Sequence, residues 1–486
     1  MNVLDLLGGG VQETALVEPD AGRRVSFGEL RGEVEELARK LAGAGVTRGD
    51  TVASIVPDGP LFVRLLLATT ALGAAAAPLN PTYTSDEFRF YLDDLAPRLV
   101  LTTAGDAAAA RRAAAGDLRF VDVDGAEFAA AATAPFEPAQ PDDVALVLHT
   151  SGTTSRPKQV PLLHRNLVAS ARGIAEFYEL TEEDVSFCAM PLFHVHGLVA
   201  SVAAALAAGG SVVVPSRFAP GRLQRYASEY GVTWLSAGPT FHAAILDRLD
   251  GARIRSLRFV RSCSSALSPE LHARCEAGYG VPMLEAYGMT EGSHQIASNP
   301  LPPRERKVGS VGLPSHGVEI RVVDRDGDDV ELGEVAIRGP GVTPGYVANP
   351  AANAESFFGD GWFRTGDRGR IDRDGYLTLD GRIKELIIRG GDNISPFEVE
   401  AALKAHPRVA DAVAFAIPDE RYGEEVGAAV VLTGESDERE LRAWCRERLA
   451  PFKVPRRIFL LDEIPRTPTG KLQRARIGGR LTGADS

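Results

Sequence analysis

Leu148–Pro161 reads LHTSGTTSRPKQVP, and the rest of the chain is organised around this stretch. Asp142 and Asp143 precede it, and with them a short apolar run, Val144–Leu148. That run is too short and too β-branched for a helix, so it predicts a buried strand. Small hydroxyl residues and a glycine follow: Thr150, Ser151, Gly152, Thr153 and Thr154. Their backbone N–H groups and hydroxyls can converge on one anion. Lys158, held by Pro157, adds a point charge suited to a phosphate. A second apolar stretch comes next. The Gly-Lys-Ser/Thr order of the Walker loop does not occur here. The run T-S-G-T-T-x-x-P-K is more specific than an ordinary polar hairpin.

A chain of 486 residues exceeds what one core usually serves, so two or more domains are expected. With 44% hydrophobic and 24% charged residues, the composition is that of a soluble globular protein. The net charge of −12 argues against nucleic acid as a partner, since neutralising phosphates needs a basic face. A local basic pocket for a small anion stays open. Cys188, Cys263, Cys275 and Cys445 are not at metal-ligand spacing and read as reduced thiols of a cytoplasmic protein. MNVLDLLGGG has no basic region before an apolar core, and Leu65–Pro78 is too short to span a bilayer. The C-terminal residues carry no peroxisomal tripeptide. No membrane partner is expected, and the oligomeric state, monomer or homodimer, stays open.

Along the chain, Ser26 and Glu29 form a capping-box pattern before Leu30, Val34, Leu37 and Leu41, with Gly43 and Gly45 closing the helix. Thr51–Val56 reads as a strand, Leu61–Leu72 and Thr84–Leu95 as helices, Leu99–Thr102 and Phe120–Val123 as strands. The alanine-rich piece Ala107–Ala115 reads as a surface helix. This alternation implies a parallel α/β layer. It resumes after the loop, from the helix Asn166–Tyr178 through Val185–Met190, the helix Leu198–Ala208 and Ser211–Val214 to Leu257–Ser262. A second α/β layer of similar size is the natural reading. From Gly309, alternating Val318, Ile320 and Val322 and an Asp326-Gly327 turn predict a small antiparallel β subdomain. Ser395, Pro396 and Glu398 then suggest a capped helix with proline at its first position. The last fifth reads as a small α+β domain. The expected division is residues 1–380 and 381–486.

Four further stretches stand out: LEAYGMTE at Leu284–Glu291, GWFRTGD at Gly361–Asp367, GRIKELIIRGG at Gly381–Gly391 and PTGK at Pro468–Lys471. Tyr287 beside Gly288 offers a flat ring next to open backbone. Thr290 and Glu291 suit a hard cation such as Mg²⁺. Asp367 can accept from a ribose diol.

Together, in this order, the five stretches resemble the adenylate-forming superfamily of acyl-CoA synthetases, luciferases and peptide-synthetase adenylation domains, from about Ser26 to Arg474. The resemblance implies a large N-terminal domain of two α/β layers plus a β subdomain, and a small mobile α+β C-terminal domain. It implies ATP, Mg²⁺ and coenzyme A, with a small carboxylic acid as substrate. The loop Thr150–Lys158 would hold the β- and γ-phosphates, and Glu291 with Thr153 would hold Mg²⁺. Tyr287 would stack on adenine opposite Ser265 and Ala266, with Glu285, Ala286, Gly288 and Thr290 beside it. Asp367 and Arg382 would hold the ribose. Lys471 would bridge the acid and the α-phosphate, Lys384 would mark the hinge, and Gly390 and Gly391 would admit CoA. The chain departs from the family pattern at Ser155 and Gln159, where glycine is usual. If glycine serves close approach or positive φ there, Gln159 disturbs the loop, and Gln159→Gly should not slow adenylation.

Pro191–Gly197, Arg261–Leu267 and Glu291–Pro300 resemble the oxalate–CoA ligase subfamily more narrowly. By that resemblance His194 sits beside the acyl carbon, while His196, Ser264 and His294 line the acyl pocket. Two imidazoles and a hydroxyl suit a short acid with a second polar end, with at least one imidazole protonated. Malonate-activating relatives carry arginine where this chain has Ala286. The alternatives are another short- or medium-chain acyl-CoA synthetase, including a malonyl-CoA synthetase, and a non-catalytic nucleotide-binding relative.

Overall fold

The computed structural model describes residues 1–103, 105, 107–125, 128, 132–150, 157–249, 254–467 and 472–483. Among them the strands form four sheets. The first has six strands in the order 120–122, 99–102, 51–55, 75–78, 144–149 and 159–163. All are parallel except the last, Gln159–Leu163, which returns antiparallel to Val144–His149. The second has nine strands and a parallel centre running from Thr14–Glu18 to Met283–Met289. His294–Ser298 is added antiparallel to Met283–Met289 at one side.

Helices Phe27–Gly43, Pro60–Ala71 and His164–Phe177 pack between these two sheets. Leu30, Leu41, Phe62, Leu67, Leu167 and Ile174 share one buried cluster with Val52 and Leu146 of the first sheet and Leu16 and Val212 of the second. Each such side chain contributes roughly 1.5–3 kcal/mol by leaving water. Ala53 and Ile55 point the other way, onto Phe88 and Leu92 of Ser85–Leu95, as the two-residue period of a strand requires. The far face of the second sheet packs Leu235 and Val260 on Tyr226, Ile245 and Cys275. The helix Ala108–Ala113 is not a mere surface helix. Ala110 and Ala113 are buried beside Val100 and Phe88.

The β subdomain pairs Glu319–Val323, Gly333–Arg338, Trp362–Ile371 and Leu377–Arg382. The last sheet centres on Gly423–Leu432, flanked by Val409–Asp419 and Arg457–Leu460. It buries Val399, Leu403 and Leu441 on one face and Phe415 and Ile477 on the other. The fold is thus α/β and α+β, as the pattern implied.

Caps formed where the partner was local. Ser26 Oγ accepts from Glu29 N at 3.2 Å, and Glu29 Oε2 accepts from Ser26 N at 2.8 Å. The box expected at Ser395 did not form. The Ser395 hydroxyl donates instead to the carbonyl of Asp380, and Glu398 pairs with Lys453. A tertiary acceptor outcompeted the helix's own N–H. Among the described residues no helix is long and apolar enough to cross a membrane.

Candidate active site

The stretch Met283–Ser298 carries three of the expected site residues on one strand, a turn and a returning strand. Tyr287 lies in Met283–Met289, Glu291 in the 3₁₀ turn Thr290–Gly292, and His294 opens His294–Ser298. Gly288 makes the approach possible, since a Cβ there would stand 2.1 Å from the His294 carbonyl oxygen.

Thr150 and Lys158 close the base of the hairpin expected to hold phosphate. Thr150 N donates to Lys158 O at 3.0 Å, and Lys158 N to Thr150 Oγ1 at 3.4 Å. Ser151, Gly152, Thr153, Thr154 and Ser155 lie outside the described residues, as does Lys471. The Lys158 ammonium stands 4.4 Å from the centre of the Tyr346 ring, and the Tyr346 hydroxyl donates to Glu291 Oε1 at 2.9 Å. Burial, then the Glu291 carboxylate, raise the Tyr346 pKa, so the hydroxyl stays a donor. Glu291 is itself buried. Tyr346 carried no signal in the sequence reading.

Gln159 has a built place of its own. It begins a regular strand, in register with His149, and its φ is not positive. Its Nε2 donates to Asp94 O at 2.7 Å and Asp94 Oδ2 at 2.8 Å, and His149 Nε2 meets Asp94 Oδ2 at 2.9 Å. The side chain pins both strands of the hairpin to the end of Ser85–Leu95, so no glycine is called for.

Among the residues expected to hold the nucleotide, the Tyr287 hydroxyl donates to Asp367 Oδ2, and Arg382 Nε stands 3.3 Å from Asp367 Oδ1. Asp367 and Arg382 face each other across paired strands. Asp367 also raises the Arg382 pKa. Ser265 and Ala266 are exposed just after Ser264, whereas Ala286 and Tyr287 are buried. Glu285 is buried too. Desolvation pushes its carboxyl up to about 7, against backbone N–H groups of Leu267 and Gly309. Its Oε2 has no hydrogen-bond partner among the described residues.

His196, Ser264 and His294, the residues expected to line the acyl pocket, lie together. His196 Nδ1 meets Ser264 Oγ at 2.8 Å, and the His196 and His294 rings stand 4.7 Å apart, edge to face. His196 opens a π-helix, His196–Ala203, rather than the α-helix expected from Leu198. Such turns are uncommon and recur at functional sites. Gly197 is forced, since a Cβ would stand 2.4 Å from the Pro191 carbonyl oxygen. The preceding turn, which holds His194, is tied by Leu192 N donating to Asp58 Oδ1 at 2.7 Å. Ser264, Ser293 and His294 have φ of 76°, 52° and 100°. Strain of this kind persists only where surroundings impose it.

Sequence reasoning missed Arg261. Its side chain is fully buried, with no Asp or Glu in ion-pairing reach among the described residues. Nε donates to Tyr178 OH at 2.8 Å, Nη1 to Ser236 Oγ at 2.7 Å and Nη2 to His294 Nδ1 at 3.4 Å. Ser236 Oγ also meets His196 Nε2 at 2.7 Å. The positive charge expected of an imidazole is therefore already present on a guanidinium.

Lys384 is exposed on the 3₁₀ turn Ile383–Glu385, directly after the strand Leu377–Arg382. Glu385 of that turn pairs with Arg474 at 2.6 Å. Gly390 and Gly391 have φ of 58° and 98° at the turn joining Ile387–Arg389 to Asp392–Ile394. The hairpin alone requires glycine there.

Three comparisons with known proteins give the chain's family. A family profile described as AMP-binding enzyme matches residues 9–347, and one described as AMP-binding enzyme C-terminal domain matches residues 398–471. The oxalate–CoA ligase of Arabidopsis thaliana is 43% identical, covering 97% of each chain. A sulfoacetate–CoA ligase of Cupriavidus necator is 40% identical, covering 95% of this chain and 94% of that one. The o-succinylbenzoate CoA synthetase of Bacillus subtilis, solved with ATP and magnesium ion, superposes with a TM-score of 0.88 at 32% identity over 98% of each chain. The chain belongs to the AMP-binding enzyme family. Within it, the protein is an ATP-dependent, AMP-forming acid–CoA ligase, whose reactants are a small carboxylic acid, ATP and CoA.

Proposed function

We propose that this acid–CoA ligase activates oxalate, whose second carboxylate lies directly beside the reacting one. The observation that carries the reading is the polar pocket wall, where His196, Ser264 and His294 converge. Fatty and aromatic acids need apolar walls instead. The oxalate–CoA ligase from Arabidopsis thaliana, 43% identical, supports the same acid.

In the first half-reaction an oxalate oxygen attacks the α-phosphorus of ATP, the bond to the β-phosphate oxygen breaks, and pyrophosphate leaves. In the second the CoA sulfur, having lost its proton, attacks the acyl carbon and the bond to AMP breaks. Both first-step reactants are anions, so preorganised cations and donors lower the barrier. Thr150, Lys158 and the loop between them receive the β- and γ-phosphates. Glu291 fits a magnesium ion: it is a buried carboxylate, and no cluster of three His, Cys, Asp or Glu exists among the described residues. A cation held by one or two protein oxygens, phosphates and water is the usual Mg²⁺ arrangement, here with Thr153 as the other protein ligand. When bound, the ion offsets triphosphate charge.

Adenine takes the space between Tyr287 and the exposed Ser265–Ala266 turn, bordered by Glu285, Ala286, Gly288 and Thr290. Asp367 accepts from the ribose, steadied by Arg382. His194 stands beside the acyl carbon. The division falls between residues 380 and 381, with Lys384 at the hinge. The small domain brings Lys471 to the acid and α-phosphate for the first step, and Gly390 and Gly391 to the pantetheine arm for the second. The reaction takes place in the cytoplasm.

The test is ATP–pyrophosphate exchange measured acid by acid. Oxalate should give the highest kcat/KM, and His294→Ala should raise KM for oxalate far more than KM for ATP. A second reading, sulfoacetate, is favoured by the 40% identical relative, and the same assay decides between them.

A further inference from the structure

Arginine can only donate hydrogen bonds, which fixes the direction of every bond around Arg261. Ser236 Oγ accepts from Arg261 Nη1 at 2.7 Å, and its own buried hydrogen is satisfied by donating to its other partner, His196 Nε2, at 2.7 Å. That leaves the hydrogen of a neutral His196 on Nδ1, where it donates to Ser264 Oγ at 2.8 Å. Ser264 has no second hydrogen-bond partner among the described residues, which leaves its hydroxyl hydrogen available as a donor. On the other side, His294 Nδ1 accepts from Arg261 Nη2 at 3.4 Å, which puts the hydrogen of a neutral His294 on Nε2. Gln295 and Ser298 beside it engage Tyr178 OH, the remaining partner of the guanidinium.

We propose that Arg261 is the positioning and specificity-determining residue of the acyl pocket: it supplies the positive charge that selects an acid with a second negative group, and it holds His196 as the Nδ1–H and His294 as the Nε2–H tautomer. The charge acts through one layer of neutral side chains. A cation buried with no carboxylate in reach is half of an ion pair, and a dianionic acid brings the other half. Acetate does not. The donors reach such a ligand in sequence, Arg261 through Ser236 and His196 to Ser264, and Arg261 through His294. The inference rests on the reading of His196, Ser264 and His294 as the acyl pocket.

Two measurements test it. The first compares kcat/KM for oxalate, sulfoacetate and acetate in ATP–pyrophosphate exchange for the full chain, Arg261→Gln and Arg261→Lys. Arg261→Gln should cut the preference for the favoured dianion over acetate by roughly tenfold to a hundredfold, raising KM for the dianion much more than KM for ATP. Arg261→Lys, which keeps the charge, should recover part of that preference. A wild type that prefers a dianion, with both variants retaining that preference, overturns the proposal alone. A wild type that activates no short dianion overturns the pocket reading with it. The second measurement needs no variant: ¹⁵N NMR of the histidine-labelled protein should show His196 protonated at Nδ1 and His294 at Nε2. Opposite tautomers, or an imidazolium at either ring, would overturn the relay.

Discussion

The Lys158 ammonium stands over the Tyr346 ring at 4.4 Å from its centre, and the same tyrosine donates to Glu291 at 2.9 Å. One side chain therefore links the hairpin proposed to hold phosphate to the turn proposed to hold Mg²⁺. Tyr346→Phe keeps the ring and strips Glu291 of a buried donor, at a cost of roughly 1–3 kcal/mol. The expected result is a fall in the exchange rate of about tenfold or more, partly restored by high Mg²⁺. Tyr346→Leu should fall further by the cation–π share, roughly 0.5–2 kcal/mol. A Tyr346→Phe enzyme with wild-type Mg²⁺ dependence would show that the link is idle.

Gln159→Gly should slow adenylation, the reverse of what the family pattern suggests. The substitution deletes both hydrogen bonds to Asp94 and adds backbone freedom at the foot of the hairpin, together of order 1 kcal/mol or more. Pyrophosphate exchange should drop several-fold, and Asp94→Ala should reproduce the effect. A rate at or above wild type would return the glycine argument to favour.

Glu285 gives a pH signature in the ligand-free protein. Its folded pKa, about 7, is raised from 4.5 by burial, so the folded state holds the proton more tightly than the unfolded chain. The associated stability is full below about pH 4.5, declines as pH rises through 7, and amounts to roughly 3 kcal/mol. Glu285→Gln should therefore raise Tm at pH 8 more than at pH 5. Equal shifts at both values would mean the carboxyl titrates normally.

Lys471→Ala should nearly abolish adenylate formation and spare thioester formation from preformed acyl-adenylate. On the proposed reading, the small domain delivers this lysine for one half-reaction only. The loss in the first step should be of order several kcal/mol. Equal losses in both steps would remove the domain-rotation reading of this lysine.

What the sequence disclosed was local. Ser26 and Glu29 cap a helix because both partners lie within one turn, and the strand Val144–His149 follows from its own apolar run. What it hid depended on distant partners. Ser395 turned to Asp380, and Gln159 found Asp94 across 65 residues of sequence. Arg261 stands on a strand whose pattern says nothing about charge, and only burial without a carboxylate marks it. Tyr346 lies outside every recognisable stretch and matters because of what stands over its ring and at its hydroxyl. The histidines were legible as residues, but not the hydrogen each ring carries, because that is set by a donor on another element.

The most direct test of the central claim is a competition. The wild-type protein, ATP, Mg²⁺ and limiting CoA are mixed with equimolar oxalate, sulfoacetate, malonate, acetate and octanoate, and the thioesters formed are weighed by mass spectrometry. Oxalyl-CoA should dominate, with acetyl-CoA and octanoyl-CoA at trace level. A product dominated by octanoyl-CoA or malonyl-CoA would contradict the account of a short polar pocket read by His196, Ser264 and His294.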